Sequence, residues 1–366
     1  RGLGDVYKRQ AHDPALKISV WDRRGDGVLD ERLASQPTHS RLIDTLAYQE
    51  DNREVVRDAL VDWTHRHLRS TGRDHAVRYG TVDVDSFPIE VHGSQEGAAY
   101  NGHYQSTIYH PLVASFCVAG NYDSTREGYR LGNGFVHAKL RMGHEHTSNG
   151  ALAFIQEVIG KTRLLAQVLD LRLDAGLAIG EILDYLRERK IRFLGRLKGN
   201  AVLDRLAQPH LKRPPGRPPK EGYERVIELG KQRLGGWRYA QRVILVVTDR
   251  PDPVTGQLNL LPDHFFLVAG WRERELSAED ALEHYRKRGT FEDRLGEFVH
   301  AVSKHLSSHH ALDNEITFLL SLLSFNLTSF LRIELEGKAG GGWDLRRFQN
   351  YVLKAGGRVA KGAHRL

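Results

Sequence analysis

Apolar positions follow two rhythms in the first half of this 366-residue chain. Around Val82 and Val84 they recur at every second residue, as in a β-strand, whereas Leu152, Ile155 and Ile159 follow the spacing of a helix. The pattern predicts strands at residues 79–91, 111–118 and 138–141, a helix at 147–167, a strand at 168–173, a helix at 179–190 and a strand at 191–197. This order predicts a three-layer α/β fold with a mixed sheet.

The pattern changes at residue 200. A run of four prolines within residues 212–220 excludes a helix or a central strand there. Beyond it, residues 223–229, 237–247 and 264–269 again alternate like strands. We therefore predict a β-rich insertion at 200–273, between a first part of the core at 74–199 and a second part at 274–335.

Helical patterns surround this core. Residues 11–73 have a helical pattern, which predicts an N-terminal region that contacts DNA or only packs against the core. Ser277 with Asp280 has the spacing of a capping box at the start of a later helix. The apolar stretch 316–331 is shorter than the ~20 residues of a membrane span, so we interpret it as a buried helix. Residues 336–366 form a basic C-terminal segment that we expect to be truncated. Residues 1–10 resemble translated sequencing adapter and are left out of the fold prediction.

The composition indicates which class of binding partner the protein favours. Lys and Arg outnumber Asp and Glu by 53 to 46, which gives a formal net charge of +7 and favours polyanions, nucleic acid above all. The chain has one cysteine, Cys117, so it cannot form an internal disulfide. We expect a cytoplasmic protein with no membrane association.

Three residues at offsets of three and seven carry the main chemical signal. Tyr285, Arg288 and Glu292 would share one face of a continuous helix, which is also a common arrangement for solvated charge pairs. Two further acids, Asp85 and Asp174, fall on the first strand and at the end of the fourth. Each acid alone has a structural explanation, but acids from three elements that converge would repel each other without cations between them. Two Mg²⁺ ions, or Mn²⁺ in their place, would allow phosphodiester chemistry at such a site.

These features resemble the DDE transposases of bacterial insertion sequences, in the branch with a ribonuclease-H-like fold interrupted by a β-rich insertion. That branch carries a Tyr-x2-Arg-x3-Glu-x6-Lys signature on the helix of its third acid. Further matching stretches lie at residues 33–41, 93–100, 109–112, 171–176 and 314–327. The resemblance implies a ribonuclease-H-like mixed sheet flanked by helices, with helical N- and C-terminal regions.

The resemblance also implies the site. Asp174 and Glu292 would be the second and third catalytic, metal-binding acids. We favour Asp85 as the first because it precedes a small hydroxyl residue, and Asp83 is the alternative. The chain departs from the signature at Val299, where the branch has lysine.

The implied reaction is cleavage at the ends of an insertion sequence, followed by strand transfer of the freed 3′-hydroxyl into target DNA. The implied partners are double-stranded DNA, namely terminal inverted repeats and target, and a second copy that forms a homodimer on DNA. Two alternatives stay open: a ribonuclease-H-like nuclease, and a decayed copy that only binds DNA.

Five residues are predicted to contact DNA. The resemblance implies that Tyr285 and Arg288 position phosphates. The proline-rich run, with Arg213, Arg217 and Lys220, resembles a hook for the minor groove, although a stiff linker explains it equally well.

Overall fold

An eight-stranded mixed sheet forms the centre of the protein. The computed structural model describes residue 17 and residues 34–70, 77–118, 134–213, 222–252, 255–258, 261–302, 306–339 and 342–354. Its strands are β1 (Val77–Ser86), β2 (Ile89–Glu90), β3 (Ala99–Asn101), β4 (Ser106–Tyr109), β5 (Leu112–Val118), β6 (Gly134–Lys139), β7 (Ala166–Leu173), β8 (Arg192–Leu197), β9 (Tyr223–Gln232), β10 (Gln241–Asp249) and β11 (Asp263–Ala269). The order across the main sheet is β6-β5-β1-β7-β8-β11-β10-β9, and β2, β4 and β3 form a small second sheet.

Helices cover this sheet. They are α1 (Gln36–Tyr48), α2 (Glu50–Ser70), α3 (Ala151–Thr162), α4 (Gly180–Glu188), α5 (Ala201–Ala207), α6 (Ala278–Arg286), α7 (Gly289–Ala301), α8 (Ala311–Ala339) and α9 (Leu345–Phe348). A 3₁₀ turn (Gln208–His210) follows α5, and a π-helical turn (Gln349–Leu353) follows α9.

The first five strands of the main sheet have the pairing of a ribonuclease-H-like core. Strand β1 pairs antiparallel with β5 and parallel with β7, β5 pairs antiparallel with β6, and β7 pairs parallel with β8. The predicted fold class, a mixed sheet flanked by helices, is confirmed.

The β-rich insertion continues the same sheet. Strand β11 pairs antiparallel with β8, β10 with β11, and β9 with β10. The insertion therefore adds three strands to the core and does not form a separate sheet.

The two faces of the sheet are buried against different helices. Val82 and Val84 of β1 pack into one apolar cluster with Phe154 of α3 and Ile182 of α4. The opposite face is covered at β5 and β6 by helices α7 and α8, and at β8, β10 and β11 by α6. Because side chains alternate along a strand, the acids of β1 point towards this second face.

Helix α8 contains a polar residue that serves the sheet. Asn326 is fully buried, accepts the backbone N–H of Phe135 at 2.9 Å and donates to its carbonyl at 2.7 Å. This amide therefore satisfies the backbone N–H and C=O of Phe135 on the free edge of β6, one of the two edge strands of the sheet. By length and composition the segment Ala311–Leu335 could cross a membrane, but half of its most apolar window is buried inside the fold.

Several boundaries differ from the sequence predictions. The third strand begins at Gly134 and ends at Lys139, earlier than residues 138–141. The predicted strand 79–91 extends too far, because β1 ends at Ser86 and Ile89–Glu90 is strand β2 of the small second sheet. That sheet was not predicted, because its strands are only two to four residues long. The other predicted strands of the core lie within a few residues of the observed ones.

The expected single helix through Glu292 is wrong. It consists of α6 and α7, joined by a turn at Lys287 and Arg288. The N–H of Arg288 donates to the carbonyl of Tyr285, three residues earlier, at 2.9 Å. The Thr290 hydroxyl donates to the carbonyl of Lys287 at 2.7 Å. Gly289 follows, and glycine is a weak helix former, so the helix is interrupted here. Ser277 is the N-cap of α6, as predicted, and accepts the N–H of Asp280 at 3.0 Å.

Candidate active site

The carboxyl ends of three parallel strands, β1, β7 and β8, meet at one edge of the sheet. Val84 lies opposite Leu173, and Leu173 lies opposite Gly195. Asp85 and Asp174 each come directly after these paired residues, so they occupy neighbouring positions in the next row. The strand order therefore brings together two acids that are far apart in sequence.

The two candidate first acids on β1 have different surroundings. Asp83 is 1% exposed and forms a bidentate ion pair with Arg172, at 2.7 Å to Nε and 2.5 Å to Nη2. Arg172 also donates to the backbone carbonyl of His284 at 3.0 Å. Asp83 is therefore committed to a buried contact between the sheet and helix α6. Asp85 lines an open cleft instead.

Asp174 has one oxygen engaged in a turn. Its Oδ1 accepts the N–H of Leu177 at 3.0 Å, which stabilises the chain after β7. A side chain at Gly176 would place its Cβ 3.0 Å from Thr147 and 3.3 Å from Asp174 Oδ2, so glycine allows this close approach. Asp174 is thus a turn residue, as one explanation of the sequence held, and it also lines the cleft.

Glu292 reaches the cleft from helix α7. The neighbouring Phe291 and the more distant Phe298 are each 2% exposed and pack against Phe135, with ring centroids 6.3 and 5.7 Å apart. These rings fix α7 on the sheet and turn Glu292 outwards, where its side chain is 60% exposed.

Arg288 links the acids of two elements. Its Nη2 donates to Asp85 Oδ2 at 2.5 Å, and its Nη1 donates to Glu292 Oε1. The guanidinium is almost fully buried. It therefore forms ion pairs with two of the three acids in this structure.

Burial and charge change the acidity of two groups in the cleft. Burial raises the pKa of Asp85 to about 6, with Arg288 opposing the shift and the nearby Asp174 adding to it. Burial also raises the pKa of the Tyr285 phenol to about 12, which keeps it protonated at neutral pH. Asp85 is therefore a carboxylate whose negative charge a cation would stabilise.

Two cavities share the aspartates. One, of about 690 Å³, contains all three acids together with Tyr285 and Arg288. The other, of about 840 Å³, contains Asp85 and Asp174 beside tyrosine, histidine and tryptophan side chains. The break between α6 and α7 thus does not separate Tyr285, Arg288 and Glu292, which still face one cleft.

Residues that the sequence did not single out support this edge. Arg141 is 7% exposed and donates to the backbone carbonyls of His110, His146, Thr147 and Asn149, which fixes the loop after β6. A hydrogen bond of 3.2 Å joins the hydroxyls of Thr147 and Ser86, next to Asp85. A lone arginine beside a short strand gives no sequence signal for such a role.

Tyr104 is a second residue that sequence reasoning missed. It lies in the turn between β3 and β4 and packs edge-on against His110, with ring centroids 5.6 Å apart. Burial raises the pKa of its phenol, and the charges of Asp85 and Asp174 raise it further. Tyr104 is therefore a protonated phenol close to both aspartates.

The predicted DNA hook is only partly described. Arg213 pairs with the buried Asp249, at 2.7 Å from Nε to Oδ2, and its side chain is 34% exposed. Arg217 and Lys220 lie outside the described residues. The hook therefore stays a prediction.

Val299 has apolar surroundings. It is half-buried on helix α7 and packs against the cluster that contains Phe298 and Phe318. At this position α7 contributes an apolar contact and no charge.

The acids fit a divalent cation in part. Asp85 and Asp174 provide the hard carboxylate oxygens that Mg²⁺ prefers, and burial, with a smaller contribution from Asp174, raises the pKa of Asp85. Among the described residues, however, no three potential ligands are grouped as in a formed metal site. Arg288 is bonded to both Asp85 and Glu292, so a metal held by all three acids would require Arg288 to release two of them.

Comparisons with known proteins give a family match. Residues 5–366 match the family described as transposase DDE domain, group 1. No curated protein matches the chain. Among solved structures, it is similar to piggyBac transposase in a synaptic complex with hairpin DNA, with a TM-score of 0.45 and 11% identity. The match covers 74% of this chain and 51% of that one, so the chain spans about half of that transposase's length.

Proposed function

Since this chain belongs to the family of transposase DDE domains, group 1, we propose that it is the transposase of a bacterial insertion sequence. It would cleave phosphodiester bonds at the ends of the element and transfer the freed 3′ ends into target DNA. The observation that carries this proposal is that Asp85, Asp174 and Glu292, from three separate elements, line a single cleft.

The acids have distinct tasks in this proposal. Asp85 and Asp174 would hold the divalent metal, Mg²⁺ or Mn²⁺, once Arg288 releases Asp85. Glu292 would join them once Arg288 releases it as well. Two bound ions would supply charge stabilisation for the attacking and leaving oxygens. The pair of Asp83 and Arg172 supports the strand that presents Asp85.

The remaining cleft residues would act on the DNA backbone. The phenol of Tyr285 stays protonated and can donate a hydrogen bond to a phosphate oxygen. Arg288, once detached from Asp85 and Glu292, can bind a phosphate through two parallel N–H groups. Water would then attack at the end of the element, and the freed 3′-hydroxyl would attack target DNA. This chemistry needs no covalent intermediate on the protein.

The partners follow from the reaction. We propose double-stranded DNA as the substrate, with terminal inverted repeats and a target site, and a homodimer that assembles on it in the cytoplasm. The excess of basic residues suits such a polyanion. Arg213, Arg217 and Lys220 stay proposed DNA contacts, and any contribution from Arg213 would require it to leave Asp249.

The test uses the inverted repeats that flank the gene as substrate. Asp85→Asn, Asp174→Asn and Glu292→Gln should each abolish Mg²⁺-dependent cleavage while DNA binding persists. Asp293→Asn is the matched control, because this exposed acid adjoins Glu292 on the same helix but is not among the residues lining the cleft. Cleavage by Glu292→Gln at the parental rate would overturn the assignment.

A strand-transfer assay with pre-cleaved ends separates the two enzymatic alternatives. A transposase joins these ends to target DNA, whereas a nuclease that only hydrolyses yields no joined product. Binding without cleavage in the parent protein would leave only the decayed copy.

A further inference from the structure

Four basic side chains line the cleft that contains all three acids, and two of them form ion pairs. Arg288 binds Asp85 and Glu292, and Arg286 binds Glu224 and Glu283. The other two, Arg196 and Lys198, lie at the end of strand β8. Both are exposed, and neither forms an ion pair with any residue that the structure describes.

The sheet aligns these two cations with the acids. Because Leu173 lies opposite Gly195, the row that contains Asp85 and Asp174 continues to Arg196 on β8. Lys198 follows the last residue of β8 and lines the same cleft. Lys198 also lines the second cavity, so it stands where the two cavities meet at the aspartates.

The two side chains suit a phosphate backbone in different ways. The Arg196 guanidinium lies over the ring of Phe265, 5.0 Å from its centroid, which restricts its orientation before any ligand binds. Lys198 is a flexible point charge at the rim. Unpaired cations beside buried acids are what a polyanionic strand requires, because the acids alone would repel it.

Beyond Glu292, helix α7 contributes no basic side chain to this cleft. At Val299 it presents a half-buried valine to the apolar cluster. We propose that Arg196 and Lys198 bind a phosphate of the DNA strand beside the scissile bond, and so provide from strand β8 the cationic contact that α7 lacks. This inference rests on the proposed function and assigns a phosphate subsite within the same cleft.

The first test measures DNA binding without metal. Anisotropy of a short fluorescein-labelled duplex of mixed sequence is followed in EDTA as salt is raised. Arg196→Ala and Lys198→Ala should each reduce the slope of log K against log salt by about 1, as expected for one lost phosphate contact. Lys231→Ala is the control, because this exposed lysine lies on β9 in a cavity that contains none of Asp85, Asp174 and Glu292.

The second test measures single-turnover cleavage. Lys198→Ala should slow cleavage roughly 10- to 100-fold, which is at or below the effect of removing one transition-state hydrogen-bond donor. Lys198→Arg should keep most of the rate. If the cations only balanced the acids, both alanine variants would leave the salt slope unchanged, and that result would overturn the inference.

The outcomes separate this inference from the proposed function. If the parent protein neither binds nor cleaves DNA, the proposed function fails. If the parent cleaves and the β8 variants bind with its salt slope and cleave at its rate, only the phosphate subsite is lost.

Discussion

Replacing Asp83 and Asp85 in turn should separate a structural acid from a functional one. Asp83 and Arg172 have side chains 2% and 0% exposed, and two hydrogen bonds of 2.7 and 2.5 Å join them. Asp83→Asn removes the negative charge and leaves the buried guanidinium without its counterion. Breaking a buried pair in this way costs about 3–5 kcal/mol, a large part of a typical total stability of about 5–15 kcal/mol.

Asp85→Asn should behave in the opposite way. Its ionised form is already disfavoured, because burial raises its pKa to about 6. A neutral amide therefore costs less stability here than at Asp83, whereas the loss of a metal ligand should abolish cleavage. Urea unfolding and end cleavage, measured on both variants, give the comparison.

A double variant is the control for the buried pair. Asp83→Leu combined with Arg172→Met removes both charges and should recover most of the lost stability, since apolar replacements of a buried pair are often neutral. The reasoning is refuted if Asp83→Asn unfolds at the parental urea concentration and yet abolishes cleavage. In that case Asp83 would be the first acid.

Three further predictions concern pH, a helix cap and a loop. The pKa of Asp85 is raised from 3.8 to about 6 on folding. The metal-free protein should therefore gain stability as pH falls through about 6 towards 4, and lose it as pH rises. Urea unfolding at about pH 5 and about pH 7 measures this difference, which Asp85→Asn should lack. Ser277→Ala removes the side-chain cap of helix α6 and should cost about 1 kcal/mol in unfolding free energy, whereas Ser277→Asp should cost little. Gly143→Ala would place a Cβ 1.9 Å from a carbonyl oxygen of strand β4 and should lower stability by at least about 1–3 kcal/mol. Gly235→Ala, with nothing within 4 Å, is its control in thermal unfolding, and equal melting of the two variants would contradict the clash.

The strands of the core could be predicted from sequence because burial imposes a clear pattern on them. Val82 and Val84 face an apolar cluster, so the alternation at β1 reports a real difference between its two faces. Asp174 could be placed at a strand end for the same reason, since Leu169, Leu171 and Leu173 alternate with charged residues in β7 and a turn follows. The pairing of β11 with β8 could not be predicted, because alternation identifies a strand but not its neighbour.

The contacts of the site depended on the folded chain. Arg288 looked like a partner of Glu292 at i+4, and this pair exists, but its bond to Asp85 spans 203 residues. Arg172 gave no signal at all, although its pair with Asp83 leaves Asp85 as the aspartate of β1 that lines the cleft. The break before Gly289 was hidden too, because most of the surrounding residues are good helix formers and the interruption depends on local hydrogen bonds.

The continuous sheet has a consequence for shortened versions of this protein. Strand β8 is covered on one side by β7 and on the other by β11, which the insertion supplies. A variant that joins residue 199 directly to residue 274 would expose the backbone N–H and C=O groups of Phe193–Leu197 as a free edge next to the acids. Exposed edges of this kind pair with other chains, so we expect such a deletion to self-associate.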